Sequence, residues 1–168
     1  MHARYAAERA KRLRPDGAAQ YSGLREVFAE ADADPYTPRV ERASCSETID
    51  VAVVGAGIGG LLAAARLVEQ GIGDIRLIDK AGDVGGTWYW NRYPGAACDV
   101  VSYIYLPMLE ETGYVPVEKY SKAPEIFAHL QRIAQRYDLY DKALFHTEVS
   151  ALAWDEAAQR WLVKTDRG

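Results

Sequence analysis

A glycine-rich bend between an apolar strand and an apolar helix constrains the fold of this chain more than any other feature. The β-branched run Ile49–Val54 predicts a buried strand, and Gly55–Gly60 follows it directly. Apolar residues at helical spacing predict a helix over Ile58–Gln70, and Ile75–Asp79 predicts a second strand. A strand, a tight glycine turn, a helix and a strand in about 30 residues form a βαβ unit with parallel strands. The fold class is therefore α/β, with a Rossmann-like parallel sheet.

The bend Gly55-Ala56-Gly57-Ile58-Gly59-Gly60 has the GxGxxG spacing of a dinucleotide-binding turn. Gly55 permits the tight turn, Gly57 lets a pyrophosphate approach the backbone, and Gly60 lets the helix pack close to the strand. The free amides at the helix N-terminus attract phosphate anions. Asp79 ends the second strand, and its carboxylate suits ribose hydroxyls and repels a 2′-phosphate, which favours FAD or NAD over NADP at this site. A surface acid that only ends a strand, and a βαβ unit without a ligand, remain alternatives.

The rest of the chain divides into an N-terminal arm and a continuation of the domain. Residues 1–48 carry eight basic and eight acidic residues, and they predict an irregular or helical arm with a short helix near Leu24–Phe28. The alternative is a charged arm that recruits a partner. Residues 49–168 form the predicted domain, in which a helix begins at Pro124, a strand spans Leu144–Val149 and a β-hairpin turns over Asp155–Arg160.

Composition excludes several classes of function. The net charge of −4 argues against a nucleic-acid-binding surface. The uncharged run Val51–Ala65 is too short and too rich in glycine for a membrane helix of about 20 apolar residues. The N-terminus has no apolar leader segment, so we expect a cytoplasmic protein. Cys45, Cys98 and three scattered histidines do not form a metal-ligand pattern, and no metal site is expected.

A second cluster, Gly85–Asp99, is more specific than the bend. It matches every fixed position of the motif [AG]-G-x-W-x4-[FY]-P-[GM]-x3-D, through Gly86, Trp88, the Tyr93-Pro94-Gly95 turn and Asp99. On this motif the chain resembles the type I Baeyer–Villiger monooxygenases, which are class B flavoprotein monooxygenases. The resemblance runs from about Arg4 to Gly168 and covers about the first third of such an enzyme.

The resemblance implies a role for each matching residue. Gly55, Gly57 and Gly60 would hold the FAD pyrophosphate, and Asp79 the adenosine ribose. Asp99 would lie near the isoalloxazine and position a catalytic arginine from a later part of the chain. The remaining cofactor-binding residues implied by the resemblance are Gly86, Thr87, Trp88, Tyr105 and Val149, the last on the strand before the hairpin.

The implied function is the FAD-binding portion of an NADPH- and O2-dependent monooxygenase that inserts oxygen into ketones to give esters or lactones. A second GxGxxG turn, which would bind NADPH, does not occur in this sequence, so we expect that site to lie mostly outside this chain. The Rossmann-like fold is also expected to be incomplete, and the 168-residue chain alone to bind FAD poorly and not to turn over. The alternatives are an N- or S-oxygenating flavin monooxygenase and a truncated, non-catalytic FAD-binding fragment.

Overall fold

A computed structural model describes residues 2–20 and 33–168, which fall in two compact units, Met1–Pro35 and Tyr36–Gly168. In the first unit, helix α1 spans His2–Arg12 and a 3-10 turn spans Gly17–Gln20. None of the α1 residues is buried. The helix predicted near Leu24–Phe28 lies outside the described residues.

The second unit contains the predicted βαβ arrangement. Strand β1 spans Val51–Val54, helix α2 spans Ile58–Glu69, and strand β2 spans Ile75–Ile78. Strands β1 and β2 pair in parallel, and β2 pairs in parallel with the short strand β3, Ala143–Leu144. The sheet order is β1-β2-β3. The α/β fold class is confirmed, and these element boundaries agree with the predicted ones within two residues at β1, α2 and β2.

One long helix packs on this sheet, and a second long helix packs on the first. Helix α2 packs against helix α6, which spans Ala123–Arg136 and has a proline in its first turn, as predicted. Their shared core is apolar because both helices turn an aliphatic stripe inward. Its fully buried side chains include Leu61, Leu77, Ile126, Leu130 and Ile133.

The segment between β2 and α6 has only three single-turn helices. They are α3 (Thr87–Trp90), α4 (Ser102–Tyr105) and α5 (Leu109–Thr112). A buried pair of hydroxyl groups stabilises the segment: Ser102 Oγ lies 2.8 Å from Ser121 Oγ and also accepts a bond from the Ser121 amide. Irregular backbone of this kind stays ordered because its polar groups find partners.

The C-terminal part is the predicted hairpin, with one correction before it. Strand β4 (Val149–Asp155) pairs antiparallel with β5 (Arg160–Thr165), and Trp154 lies opposite Trp161. The predicted strand Leu144–Val149 is wrong: β3 ends at Leu144, and His146 takes a positive φ of 49° that no strand allows. Val149 therefore belongs to the first strand of the hairpin rather than to a strand before it.

Residues 36–48 belong to the same compact unit as the sheet. The Cys45 amide donates to the Arg167 carbonyl (2.9 Å). The Arg42 guanidinium donates to the carbonyls of Phe145 and His146 and to Thr147 Oγ1, which fixes the turn that ends β3. In the ranges 2–20 and 33–168, no helix is long and apolar enough to cross a membrane.

Candidate dinucleotide-binding site

The glycine bend is held tightly against the end of β1. Gly55 has φ 96°, and its amide donates to the Ile78 carbonyl on the neighbouring strand (2.8 Å). A Cβ on Gly60 would lie 1.8 Å from the Gly55 carbonyl oxygen, which no side chain can occupy. Gly60 thus lets helix α2 start directly against the bend, as predicted from the spacing.

The N-terminus of α2 is free of a capping side chain. Gly57 is the N-cap residue, in extended conformation (φ −76°), and no side chain bonds to the first turn. A Cβ on Gly59 would meet no atom within 4 Å, so there is open space beside this turn. Uncapped first-turn amides and the helix dipole together favour an anion at this position.

Asp79 lies against the same bend. Its Oδ2 accepts a hydrogen bond from the Ala56 amide (2.6 Å), and its Oδ1 accepts one from the Ala81 amide (2.8 Å). Each carboxylate oxygen has a second lone pair and can accept one more bond, for example from a ribose hydroxyl. The structure thus brings the acid and the glycine bend together, as the sequence predicts, and its ribose contact stays a prediction.

A second glycine pair packs directly on the first bend, a contact that the sequence did not predict. The Gly85 amide donates to the Ala56 carbonyl (2.9 Å). Gly86 has φ 53°, and a Cβ on it would lie 2.8 Å from Gly57 Cα. The pair of adjacent glycines in the sequence could have indicated this contact, because a close approach of two backbones requires residues without Cβ atoms.

Trp88 and Tyr105, both predicted as cofactor-binding residues, are brought together. The Trp88 indole Nε1 donates to the Tyr105 hydroxyl (2.8 Å), and the two rings pack edge to face with centroids 5.8 Å apart. Trp88 is 8% exposed, and Thr87, at the start of the same turn, is exposed. An indole held by both a hydrogen bond and a ring contact has a fixed orientation.

Asp99 and Val149 have surroundings of their own. Asp99 is exposed, in the turn after Cys98, whose amide donates to the Ser121 carbonyl (3.0 Å). Val149 pairs with Thr165 in the hairpin. Within the described part of the chain, no hydrogen bond joins either residue to the glycine bend, and their roles stay predictions.

Comparison with known proteins agrees with this geometry. Residues 53–130 match the family described as NAD(P)-binding Rossmann-like domain. The chain is 62% identical to pentalenolactone D synthase of Streptomyces exfoliatus over 169 residues, which is 100% of this chain and 28% of that protein. It is 50% identical to a Baeyer–Villiger monooxygenase of Streptomyces coelicolor over 168 residues, 99% of this chain and 28% of the relative.

Solved structures give the same result. The polycyclic ketone monooxygenase of Thermothelomyces thermophila superposes with a TM-score of 0.82 at 43% identity, over 98% of this chain and 28% of that one. A crystal structure of OTEMO in complex with FAD and NADP gives a TM-score of 0.67 at 31% identity, over 76% of this chain and 23% of that one. The chain spans about a quarter of the length of the relatives it matches.

Proposed function

This chain is homologous to the N-terminal part of Baeyer–Villiger monooxygenases, and on that premise we propose that it forms the FAD-binding portion of such an enzyme. The proposed reaction inserts one oxygen atom of O2 into a ketone, gives an ester or a lactone, and consumes NADPH. We assign the FAD-binding portion to residues 49–168, and the NADPH site mostly to sequence outside this chain. A cytoplasmic location belongs to the same proposal.

The glycine bend is the observation that carries this proposal. Uncapped amides at the start of α2, open space beside Gly59, and the Asp79 carboxylate next to the bend fit an anionic diphosphate with a ribose at one end. The chain offers these groups already ordered, because Gly60 and the Gly55 amide fix the bend to the sheet. When bound, FAD supplies the electron transfer from NADPH and the reaction with O2.

The second glycine pair and the residues after it extend the proposed site toward the flavin. Gly86 contacts Gly57 through its backbone, so the turn Thr87–Trp90 starts beside the diphosphate position. In this proposal Thr87 offers an exposed hydroxyl, while Trp88, held by Tyr105, provides a fixed apolar wall that excludes water.

Asp99 is proposed to act on the substrate side of the flavin. It is an exposed carboxylate, and a charge-assisted hydrogen bond from it would orient an arginine contributed by sequence outside this chain. Val149 is proposed to present its backbone to the adenine. Both assignments rest on the position of these residues in the family motif and in the hairpin.

A glycine exchange tests the proposal. A Cβ at Gly57 would meet Gly86 Cα at an ordinary 3.5 Å, and Gly57 has negative φ, so Gly57→Ala is expected to leave the fold intact. It places a methyl group where the diphosphate approaches, and we expect FAD affinity to fall at least about tenfold. The matched control is Gly73→Ala, whose methyl group also meets open space but lies beyond the end of α2 opposite the glycine bend.

Binding is followed by FAD fluorescence and by flavin absorbance near 450 nm, with circular dichroism to check the fold. Because the chain alone is expected to bind FAD poorly, the titration extends to FAD concentrations at which weak binding is detected. Wild-type chain that takes up no FAD even there would contradict the proposal. Equal FAD affinities for Gly57→Ala, Gly73→Ala and wild type would show that the cofactor binds elsewhere.

A further inference from the structure

The Asp83 carboxylate joins three separate parts of the second unit. Its Oδ1 accepts hydrogen bonds from the Val84 amide (2.7 Å) and the Tyr140 hydroxyl (3.0 Å). Its Oδ2 accepts one from the Gln131 side chain on α6 (2.8 Å). Hydrogen bonds to a charged carboxylate are stronger than neutral ones, so this contact ties residue 83 firmly to α6 and to the 3-10 turn at Tyr140–Lys142.

Two residues after Asp83, the backbone contacts the glycine bend. Gly85 donates to Ala56, and Gly86 lies against Gly57. Gly85 also lies against α6: a Cβ there would be 2.8 Å from the Phe127 ring. The segment 83–86 therefore lies between the glycine bend on one side and α6 on the other, and Asp83 is its polar anchor.

Tyr140 is suited to hold this anchor over a wide pH range. Burial and the charge of Asp83 raise the pKa of the Tyr140 hydroxyl above its usual value. The hydroxyl therefore stays protonated, and remains a donor, at any pH at which an enzyme of this kind works. The Gln131 amide is neutral and adds a donor that does not titrate.

We propose that Asp83 is a positioning residue for the FAD site, because its bonds to Tyr140 and Gln131 hold Gly85–Gly86 against the glycine bend. This inference rests on the proposed function in that FAD is taken as the ligand of the bend. Asp83 acts through the backbone of its neighbours, so its removal should disturb the bend without removing any group that the bend offers to a ligand.

The experiment compares Asp83→Ala, Asp83→Asn and Tyr140→Phe in the full chain, with Asp141→Ala as the control. Asp141 is an exposed acid in the same turn as Tyr140, so the control removes a negative charge without touching the anchor. Amide hydrogen exchange is measured without cofactor at Gly85, which bonds to the bend, and at Cys98, which bonds to Ser121. FAD affinity and the absorbance spectrum of the bound flavin are measured on the same samples.

We expect Asp83→Ala to lower the protection of the Gly85 amide and the FAD affinity by about tenfold each, with Cys98 unchanged. Tyr140→Phe, which removes one donor, should have about a fivefold effect on both. Asp83→Asn should recover most of the loss, because its oxygen keeps two bonds and the Gln131 amide can rotate to accept the third. A shifted flavin spectrum in Asp83→Ala, restored in Asp83→Asn, would separate positioning from general loss of stability.

Unchanged Gly85 protection in Asp83→Ala would overturn the inference, as would lowered protection with wild-type FAD affinity and spectrum. If Asp83→Ala does not fold, Tyr140→Phe decides by the same two readouts. If the wild-type chain takes up no FAD even at concentrations at which weak binding is detected, the proposed function fails, and Gly85 exchange then decides alone whether Asp83 anchors the segment.

Discussion

The two sheets of the second unit have similar strands and opposite environments. In the parallel sheet, Ile75 and Leu77 of β2 are completely buried. In the hairpin, Trp161 is 61% and Leu162 54% exposed, although both side chains are large and apolar. Helix α2 packs on β1 and β2, and helix α6 packs on α2, whereas the described residues place no such cover on the hairpin. We call the β1-β2-β3 sheet the covered sheet. Burial here follows from the partners of a strand rather than from its composition.

The residues of the proposed site are divided between the two sheets. The glycine bend, Asp79 and the Gly85–Gly86 pair lie at the end of the covered sheet, where packing fixes the backbone. Val149, the predicted adenine contact, begins the exposed hairpin. The part of the site on the covered sheet is therefore preorganised for a ligand, which lowers the entropy lost on binding.

The largest expected effect comes from the contact that holds α2 to the covered sheet. Gly60→Val places a side chain against the Gly55 carbonyl oxygen, because a Cβ at residue 60 would lie only 1.8 Å from that atom. The backbone must move to relieve this overlap. We expect a loss of at least about 4 kcal/mol in the free energy of unfolding, a large part of the stability of a domain of this size. Urea denaturation followed by circular dichroism measures it.

Gly59→Ala is the control for that experiment. Its methyl group meets open space in the first turn of the same helix, and alanine is the better helix former by about 0.5–1 kcal/mol. A Gly60→Val chain as stable as Gly59→Ala would show that the bend does not pack on α2 as described.

An effect of intermediate size is expected when two leucines, one in the covered core and one in the hairpin, are each replaced by alanine. Leu130 on α6 is completely buried, whereas Leu162 on β5 is half exposed. Leu130→Ala should cost about 3 kcal/mol of stability, because it leaves a cavity, and Leu162→Ala less than about 1 kcal/mol. Urea unfolding of both variants measures the difference. Equal losses would mean that the hairpin is covered in solution.

The sequence predicted the covered sheet well because its signals are local. Strand β1, the bend and α2 follow one another, and the glycine spacing specifies their geometry. Helix α6 was predicted from its apolar stripe and its proline for the same reason. Asp79 was placed correctly beside the bend, since an acid at the end of β2 meets the end of β1 in a parallel pair.

The sequence did not predict what depends on contacts between distant residues. The anchor formed by Asp83, Gln131 and Tyr140 joins residues 48 and 57 positions apart, and no local pattern marks it. The strand predicted at Leu144–Val149 has suitable apolar residues, yet Arg42, about 100 positions away, holds this stretch in a turn. The packing of Gly86 on Gly57 is of the same kind.

The smallest expected effect is a pH dependence confined to the covered region. His129 on α6 is completely buried, its Nε2 lies 2.6 Å from the Pro107 carbonyl oxygen, and its ring stacks on Tyr114. Burial lowers the pKa of His129 below its usual 6.5, so the folded chain keeps it neutral where the unfolded chain binds a proton. Stability should therefore fall as the pH decreases from about 6.5 toward the lowered pKa of the folded state, and stop falling on this account below it.

The neighbouring carboxyl group of Glu125 titrates at a lower pH than the range in which His129 is expected to change stability. Burial raises the pKa of Glu125, but hydrogen bonds from the Val117 amide and the Tyr114 hydroxyl outweigh it and bring the pKa below 4.5. The urea midpoint of the wild-type chain, measured from pH 7.5 to 5, should thus decline with pH, whereas His129→Gln, which keeps a donor for Pro107, should give a flat profile above pH 5. The same decline in His129→Gln would assign the proton uptake to another group and remove this distinction between the covered sheet and the hairpin.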